Sequence, residues 1–167
     1  MEFKVFQKEL ELQSRGWIPT FHDVTTDIVK IGEESGIKNG TCCIASHHTT
    51  CSVITQEAAF DMSMTGLETL QQDFVDVLER VSPECTREGI YLHPGPKAIK
   101  FADEHGEDLR GCHNTDAHLR SALIGRGECI ALIDGEMDLG DFGFIYFIDF
   151  DKTRARERTV QVMIIGE

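Results

Sequence analysis

Between Glu128 and Ile164 three strand-like segments follow one another with only turns between them, and this succession restricts the available folds more than any other feature. Glu128–Ile133 is the first segment, the alternation Phe142, Phe144, Tyr146, Ile148, Phe150 is the second, and Val160, Val162, Ile164 is the third. Asp134-Gly135 and the polar stretch 151–158 supply the turns. Strands joined by turns pair antiparallel, because a parallel pair needs a long crossover. Helical and strand patterns elsewhere do not alternate regularly, so the sequence predicts an α+β fold with antiparallel sheets and excludes a doubly wound parallel one. Neither GxGxxG nor GxxxxGK[ST] occurs.

The rest of the chain reads as one unit, 1–167, with no repeat and no linker. Residues 2–12 suggest a strand with an irregularity. Val24, Ile28 and Ile31 are spaced as on a helix that starts at Asp23 or Thr25 and stops at Gly36. Asn39-Gly40 is a turn, and residues 41–54 read as a strand that continues or doubles back. Leu67, Leu70, Phe74, Val77 and Leu78 predict a long helix over 57–80, weakened at Gly66. The Pro- and Gly-containing stretch 83–113 reads as a long irregular connection, of a length that usually carries function. Asn114 or Thr115 caps a helix that Gly125 ends, with His118, Leu119, Ala122 and Leu123 as its inward side.

An apolar content of 41% is enough for one core. Lys and Arg number 16 against 29 Asp and Glu, a net charge of −13, which repels phosphate backbones and acidic membranes; neither nucleic acid nor membrane is an expected partner. The start, MEFKVFQKELELQ, has no cationic segment followed by an apolar one, so no signal peptide is expected. Cys42, Cys43, Cys51, Cys85, Cys112 and Cys129 form no CxxC pair and read as buried reduced thiols, consistent with a cytoplasmic location.

Seven histidines are many for this length. His47 and His48, in SHHTTCSVITQE, would point to opposite faces of a strand, with His48 on the face of Cys42, Ile44 and Ser46 and with Thr49 and Thr50 as hydroxyls for orienting it or bonding phosphate. His93 sits where IYLHPGP turns into a loop, and His118 lies on the helix of GCHNTDAHLRSALIG beside Asn114 and Asp116. His22 and His105 have no companion motif. Lys152, Arg154, Arg156 and Arg158 concentrate cations in one turn, either as solvated charges or as a phosphate clamp built from Arg156 and Arg158.

SHHTTCSVITQE, GCHNTDAHLRSALIG, DGEMDLGDFGFIYFIDFD and the terminal RERTVQVMIIGE together resemble, in order and over essentially the whole chain, the YjbQ-like (secondary thiamine-phosphate synthase) family. The resemblance implies two packed sheets with helices, a homotrimer with sites near subunit interfaces, and a divalent metal, zinc-like or magnesium with a diphosphate substrate. It implies His48, His93 and His118 as metal ligands, Glu57 as the acidic residue after the HTT strand, and Arg156 and Arg158 as terminal arginines. His48, Glu57 and His118 would be catalytic, and Thr49, Thr50, Asn114, Arg156 and Arg158 would hold phosphate. The chain departs from the family at Phe142-Gly143, where a Trp-Gln pair is common, and at Asp151-Lys152-Thr153, where a DGP turn is common.

Two functions follow as expectations. One is a metal-assisted enzyme on a small phosphorylated or diphosphorylated molecule, such as a thiamine-phosphate synthase or a phosphoester hydrolase, in which metal and arginines stabilise developing negative charge. The other is a non-enzymatic trimer whose histidines hold a structural ion. The five large apolar groups of 142–150 on one strand face predict burial between subunits.

Overall fold

Two antiparallel sheets of unequal size lie face to face in the computed structural model, which describes residues 3–167. The elements run β1 (Lys4–Gln13), β2 (Thr20–Asp23), α1 (Thr25–Ser35), β3 (Gly40–Ala45), β4 (Cys51–Glu57), α2 (Thr69–Val81), α3 (Pro96–Glu104), a 3-10 turn (Leu109–Cys112), α4 (Thr115–Ile124), β5 (Gly127–Ile133), β6 (Glu136–Met137), β7 (Gly143–Asp149) and β8 (Glu157–Gly166). The large sheet has the order β1-β8-β3-β5-β6, and the small one β2-β7-β4. This is the α+β class with antiparallel pairing that the C-terminal strands predict. The first residues of the 2–12 strand expectation fall partly outside the described residues.

The alternation of β8 turns Val160, Val162 and Ile164 inward onto Ile28 and Ile31 of α1 and onto Val53 and Phe147 of the small sheet. β7 is central in its sheet and covered on both sides, so its sequence is apolar almost throughout. Its Ile145 and Phe147 face the large sheet, while Tyr146, Ile148 and Phe150 pack under α2 and α4 with Leu78 and Ala117. Each such side chain contributes about 1.5–3 kcal/mol on burial. The chain's own helices therefore cover most of the face that was expected to be buried between subunits, leaving only Phe142 exposed, and the alternation carries no argument for a trimer.

Of the two alternatives for residues 41–54 the chain takes the second and doubles back as two strands, with a turn at Thr49-Thr50. Other local expectations are overturned. The helix expected over 57–80 begins only at Thr69, because Gly66 takes φ +84° in a turn closed by Ser63 N–H to Leu67 O (2.7 Å), and Glu68 and Gln71 then form a reciprocal cap. A helix, α3, stands within the stretch expected to be irregular, with Pro96 in its first turn. The buried side of α4 is Thr115, Asp116, Ala117, Arg120 and Ser121, whereas Leu119 is 41% and Leu123 60% exposed. Arg120 overrides the apolar spacing: it is 1% exposed and donates to Ser82 O (2.8 Å) and Glu79 (2.5 Å), with Asp116 at 3.8 Å. Among the described residues no helix is long and apolar enough to cross a membrane.

Candidate functional site

Beside the 14–19 connection from β1 to β2, two further connections cross from one sheet to the other at the same end of the molecule and build the site: residues 46–50 between β3 and β4, and 150–156 between β7 and β8. Polar side chains shape both. His48 N–H donates to Ser46 Oγ (3.2 Å); Asp151 N–H donates to Asp149 Oδ1 (3.0 Å) and Thr153 N–H to Asp151 Oδ1 (3.0 Å). Gly16, at φ +78°, lets the backbone of Ala155 approach so closely that a Cβ there would lie 1.9 Å from Ala155 N.

Between these connections, α4 and the 83–113 segment opens a cavity of about 490 Å³, within the range of small-molecule sites. His48, His93 and His118 all line it, as do Thr49, Thr50, Asn114, Arg156 and Arg158. Glu57 does not: it is exposed at the far end of β4, six residues beyond Cys51, roughly 20 Å at strand rise. The resemblance-based catalytic role for Glu57 has no counterpart in this cavity.

The hydrogen bonds assign the imidazole protons. The single hydroxyl proton of Thr115 goes to His93 O (2.8 Å), so its oxygen accepts from His93 Nδ1–H (2.9 Å), and the Nε2 of His93 keeps its lone pair. His118 Nδ1 faces the carbonyl of Thr49 (3.3 Å), which can only accept, so His118 Nε2 is bare as well. The His93 and His118 rings meet edge to face with centroids 5.7 Å apart. His48 is the opposite case. Its Nε2 accepts the backbone N–H of Thr159 (3.0 Å), so that lone pair is already used.

This donor set does not fit a three-histidine metal centre. Two imidazoles present free nitrogen atoms, the third does not, and the nearby carboxylates are already engaged, Asp149 by Arg158 and Asp151 by Asn114 and Thr153. Among the described residues no group of three or more His, Cys, Asp or Glu side chains converges as a metal site.

The arginines divide by role. Arg158 donates from Nε to Asp149 Oδ2 (2.7 Å) and from its fork to Thr50 Oγ1 (3.2 Å), while Thr50 donates to Asp149 Oδ1 (3.2 Å); all three are buried. Arg158 and Thr50 thus hold an internal ion pair and are not free for phosphate, contrary to the sequence expectation. Asn114 caps α4 and donates to Asp151 Oδ2 (3.1 Å). Arg154 pairs with Glu107. Arg156 is different: its Nε is buried without a hydrogen-bond partner, and its carboxylate neighbours Asp151 and Glu107 stand at 3.7 and 4.0 Å.

The electrostatics suit an anion. Burial, then the Arg158 and His47 charges, holds His48 below the ordinary histidine value; burial, then His118 and His113, does the same for His93. These rings are therefore neutral near pH 7. Burial and the adjacent Arg156 and Arg158 lower Arg154, a sign of cations crowded together.

Sequence reasoning misplaced His47 and overlooked Glu107, Asp149 and Asp151. The strand ends at Ala45, so His47 and His48 do not alternate; their rings lie 4.2 Å apart on the same cavity. Asp149 and Asp151 were detectable as acids inside an apolar strand end, FIDFD, that burial would force into ion pairs.

Residues 8–167 match the family described as UPF0047 protein YjbQ-like. A UPF0047 protein of Methanothermobacter thermautotrophicus is 28% identical over 164 residues, covering 98% of this chain and 94% of the relative. Another from Methanocaldococcus jannaschii is 31% identical over 145 residues, covering 87% and 84%. In fold, the chain is similar to a YbjQ-like protein of unknown function from Sulfolobus solfataricus, with a TM-score of 0.73, 23% identity and coverage of 99% and 100%. A hypothetical protein of Aeropyrum pernix gives a TM-score of 0.66 at 25% identity, covering both chains fully. With a match that leaves out only the first seven residues, the chain belongs to the UPF0047 (YjbQ-like) family.

Proposed function

We propose that the cavity binds the phosphate or diphosphate of a small molecule and acts on it as an enzyme. The observation that carries this reading is Arg156, a guanidinium on the cavity wall whose carboxylate neighbours stand at 3.7 and 4.0 Å, beyond hydrogen-bond distance. The part of the guanidinium that stays accessible, with the side chain 28% exposed, can give a phosphate oxygen a charge-assisted bond of about 1.5–3 kcal/mol. The bare Nε2 atoms of His93 and His118 supply the other half of the chemistry. Each can accept a proton from a nucleophile, or return one to a leaving group, while its Nδ1–H holds the ring in place.

Two reactions fit these parts. In a phosphoester hydrolysis one histidine deprotonates the attacking water. In the thiamine-phosphate-type displacement suggested by the family resemblance, Arg156 stabilises the departing pyrophosphate and no protein nucleophile is needed. Neither role is assigned to a metal. A trimer belongs to this reading through Leu119 and Leu123, exposed on the helix that carries His118, and a monomeric mass in light scattering at micromolar concentration would remove it.

The test is calorimetric titration of pyrophosphate into the wild type and into Arg156→Ala. A loss of about 1.5–3 kcal/mol, or roughly 10- to 150-fold in affinity, is expected for the variant. Indistinguishable titrations would refute the phosphate site.

A further inference from the structure

Outside the cavity lining, the large sheet places two thiols in contact. Cys43 on β3 and Cys129 on β5 are directly opposed in the antiparallel ladder, with Sγ atoms 3.9 Å apart. Both point away from the core, since their neighbours Cys42, Ile44 and Ile130 are the buried ones. Cys129 is exposed and Cys43 partly so. Residues beside them in the same rows are Met163 on β8 and, one step along the ladder, Thr41, Ala45, Gly127 and Ala131, so no charged group stands between the thiols or competes for them. By contrast Cys42 and Cys51 are fully buried, and burial pushes the Cys42 thiol up to about 12. Among the described residues, Cys43 and Cys129 are the one pair of thiols in contact.

We propose that Cys43 and Cys129 form an intrachain disulfide by exchange with a small-molecule disulfide, which makes this sheet face a reversible thiol–disulfide site. The geometry asks little of the backbone. Opposed residues of an antiparallel pair have Cα atoms about 4.5–5.5 Å apart, inside the 4.4–6.8 Å span of disulfides, so side-chain rotation alone can bring the sulfurs to about 2.05 Å.

The exchange takes two steps. The Cys129 thiolate, the exposed one, attacks a sulfur of the small disulfide; that S–S bond breaks, a small thiolate leaves, and Cys129 becomes a mixed disulfide. The Cys43 thiolate then attacks Cys129 Sγ, forming the Cys43–Cys129 bond and expelling the second small thiolate. The two cysteine protons end on the two small thiols, and two electrons pass from the protein to the small disulfide. Burial, and then the contact with Cys129, raise the Cys43 thiol above its ordinary value, so the second step should accelerate as the pH rises.

The experiment incubates the full chain with oxidised glutathione, blocks remaining thiols with an alkylating reagent and maps the peptides by mass spectrometry. The expected result is a Cys43–Cys129 linked peptide with loss of two of the six thiols, faster at pH 8.5 than at pH 7 (about the ordinary thiol pKa and one and a half units below it), and reversed by excess reduced glutathione. Cys43→Ser should instead stop at a glutathione adduct on Cys129, which separates closure from simple reactivity. Both thiols left free in the wild type, an adduct on Cys129 that never resolves, or a bridge between two chains would each overturn the proposal.

Discussion

Arg158→Ala should destabilise the fold rather than merely weaken a ligand, and its size can be worked from the surroundings of Asp149. That carboxylate is 0% exposed, and the Arg158 side chain is 7% exposed. Removing the guanidinium deletes the 2.7 Å bond to Oδ2 and the bond to Thr50, and leaves Asp149 ionised in the interior. Breaking one partner out of a buried pair costs about 3–5 kcal/mol. Asp149 keeps the hydroxyl of Thr50 and the N–H of Asp151 on Oδ1, so the lower end applies, about 3 kcal/mol. For a chain of this size that is a fall of roughly 6–12 °C in Tm, with the urea m-value unchanged. Adding Asp149→Asn should restore part of the loss, because an amide needs no counter-charge. The reasoning is refuted if Arg158→Ala stays within about 1 kcal/mol of wild type yet loses pyrophosphate binding as Arg156→Ala does; Arg158 would then be a ligand-binding residue after all.

Other outcomes follow from the same arrangement. Chelation with EDTA should leave the pyrophosphate titration unchanged, since the Nε2 of His48 is held by Thr159; a lost titration would restore the three-histidine centre. Glu57→Ala should lie within about 0.5 kcal/mol of wild type in stability and bind pyrophosphate equally well, because Glu57 is exposed and outside the cavity. Gly16→Ala should cost about 2 kcal/mol or more and also weaken pyrophosphate binding, since any Cβ there displaces the 154–156 turn that carries the arginines; calorimetry reads both. Burial holds His22, His48 and His93 below the ordinary value of 6.5, so as pH falls below 6.5 the unfolded chain takes up protons first and stability declines toward the lowered native values. The urea midpoint should therefore drop between pH 7 and 5 around that value, and less steeply in His22→Gln.

The parts of the fold that were legible in the sequence are those with a period. β5 and β8 alternate, β7 is a run of apolar residues between turns, and α1 is marked by Asp23, whose Oδ1 accepts the N–H of Thr25 (2.9 Å), and by Gly36 at φ +64°. β2 spans four residues, too few for a period to register, and α3 is screened by its flanking prolines and glycines. The buried side of α4 was misread because an arginine inside an ion-pair network looks like a surface residue in sequence.

Convergence of His48, His93 and His118 on one cavity was expected, but their chemical differences were not, for these depend on distant partners. Thr159 lies 111 residues from His48, Thr115 lies 22 from His93, and Thr49 lies 69 from His118. Arg156 and Arg158 are two residues apart and indistinguishable as sequence, yet only Arg158 meets a buried carboxylate at 2.7 Å.

The 46–50 and 150–156 segments at the cavity floor each carry the chain from one sheet to the other, so they tie the two sheets together there. A ligand held by both would behave as a rivet. It would slow hydrogen exchange in β3, β4, β7 and β8 together, at amides well away from the ligand itself. The α3 wall has no such duty, since it packs chiefly on the neighbouring 3-10 turn rather than on either sheet. Ala98 and Phe101, which face the cavity from that wall, can therefore vary in size without disturbing the floor, and they give this scaffold a way to exchange the non-phosphate part of its ligand while keeping the same charged base.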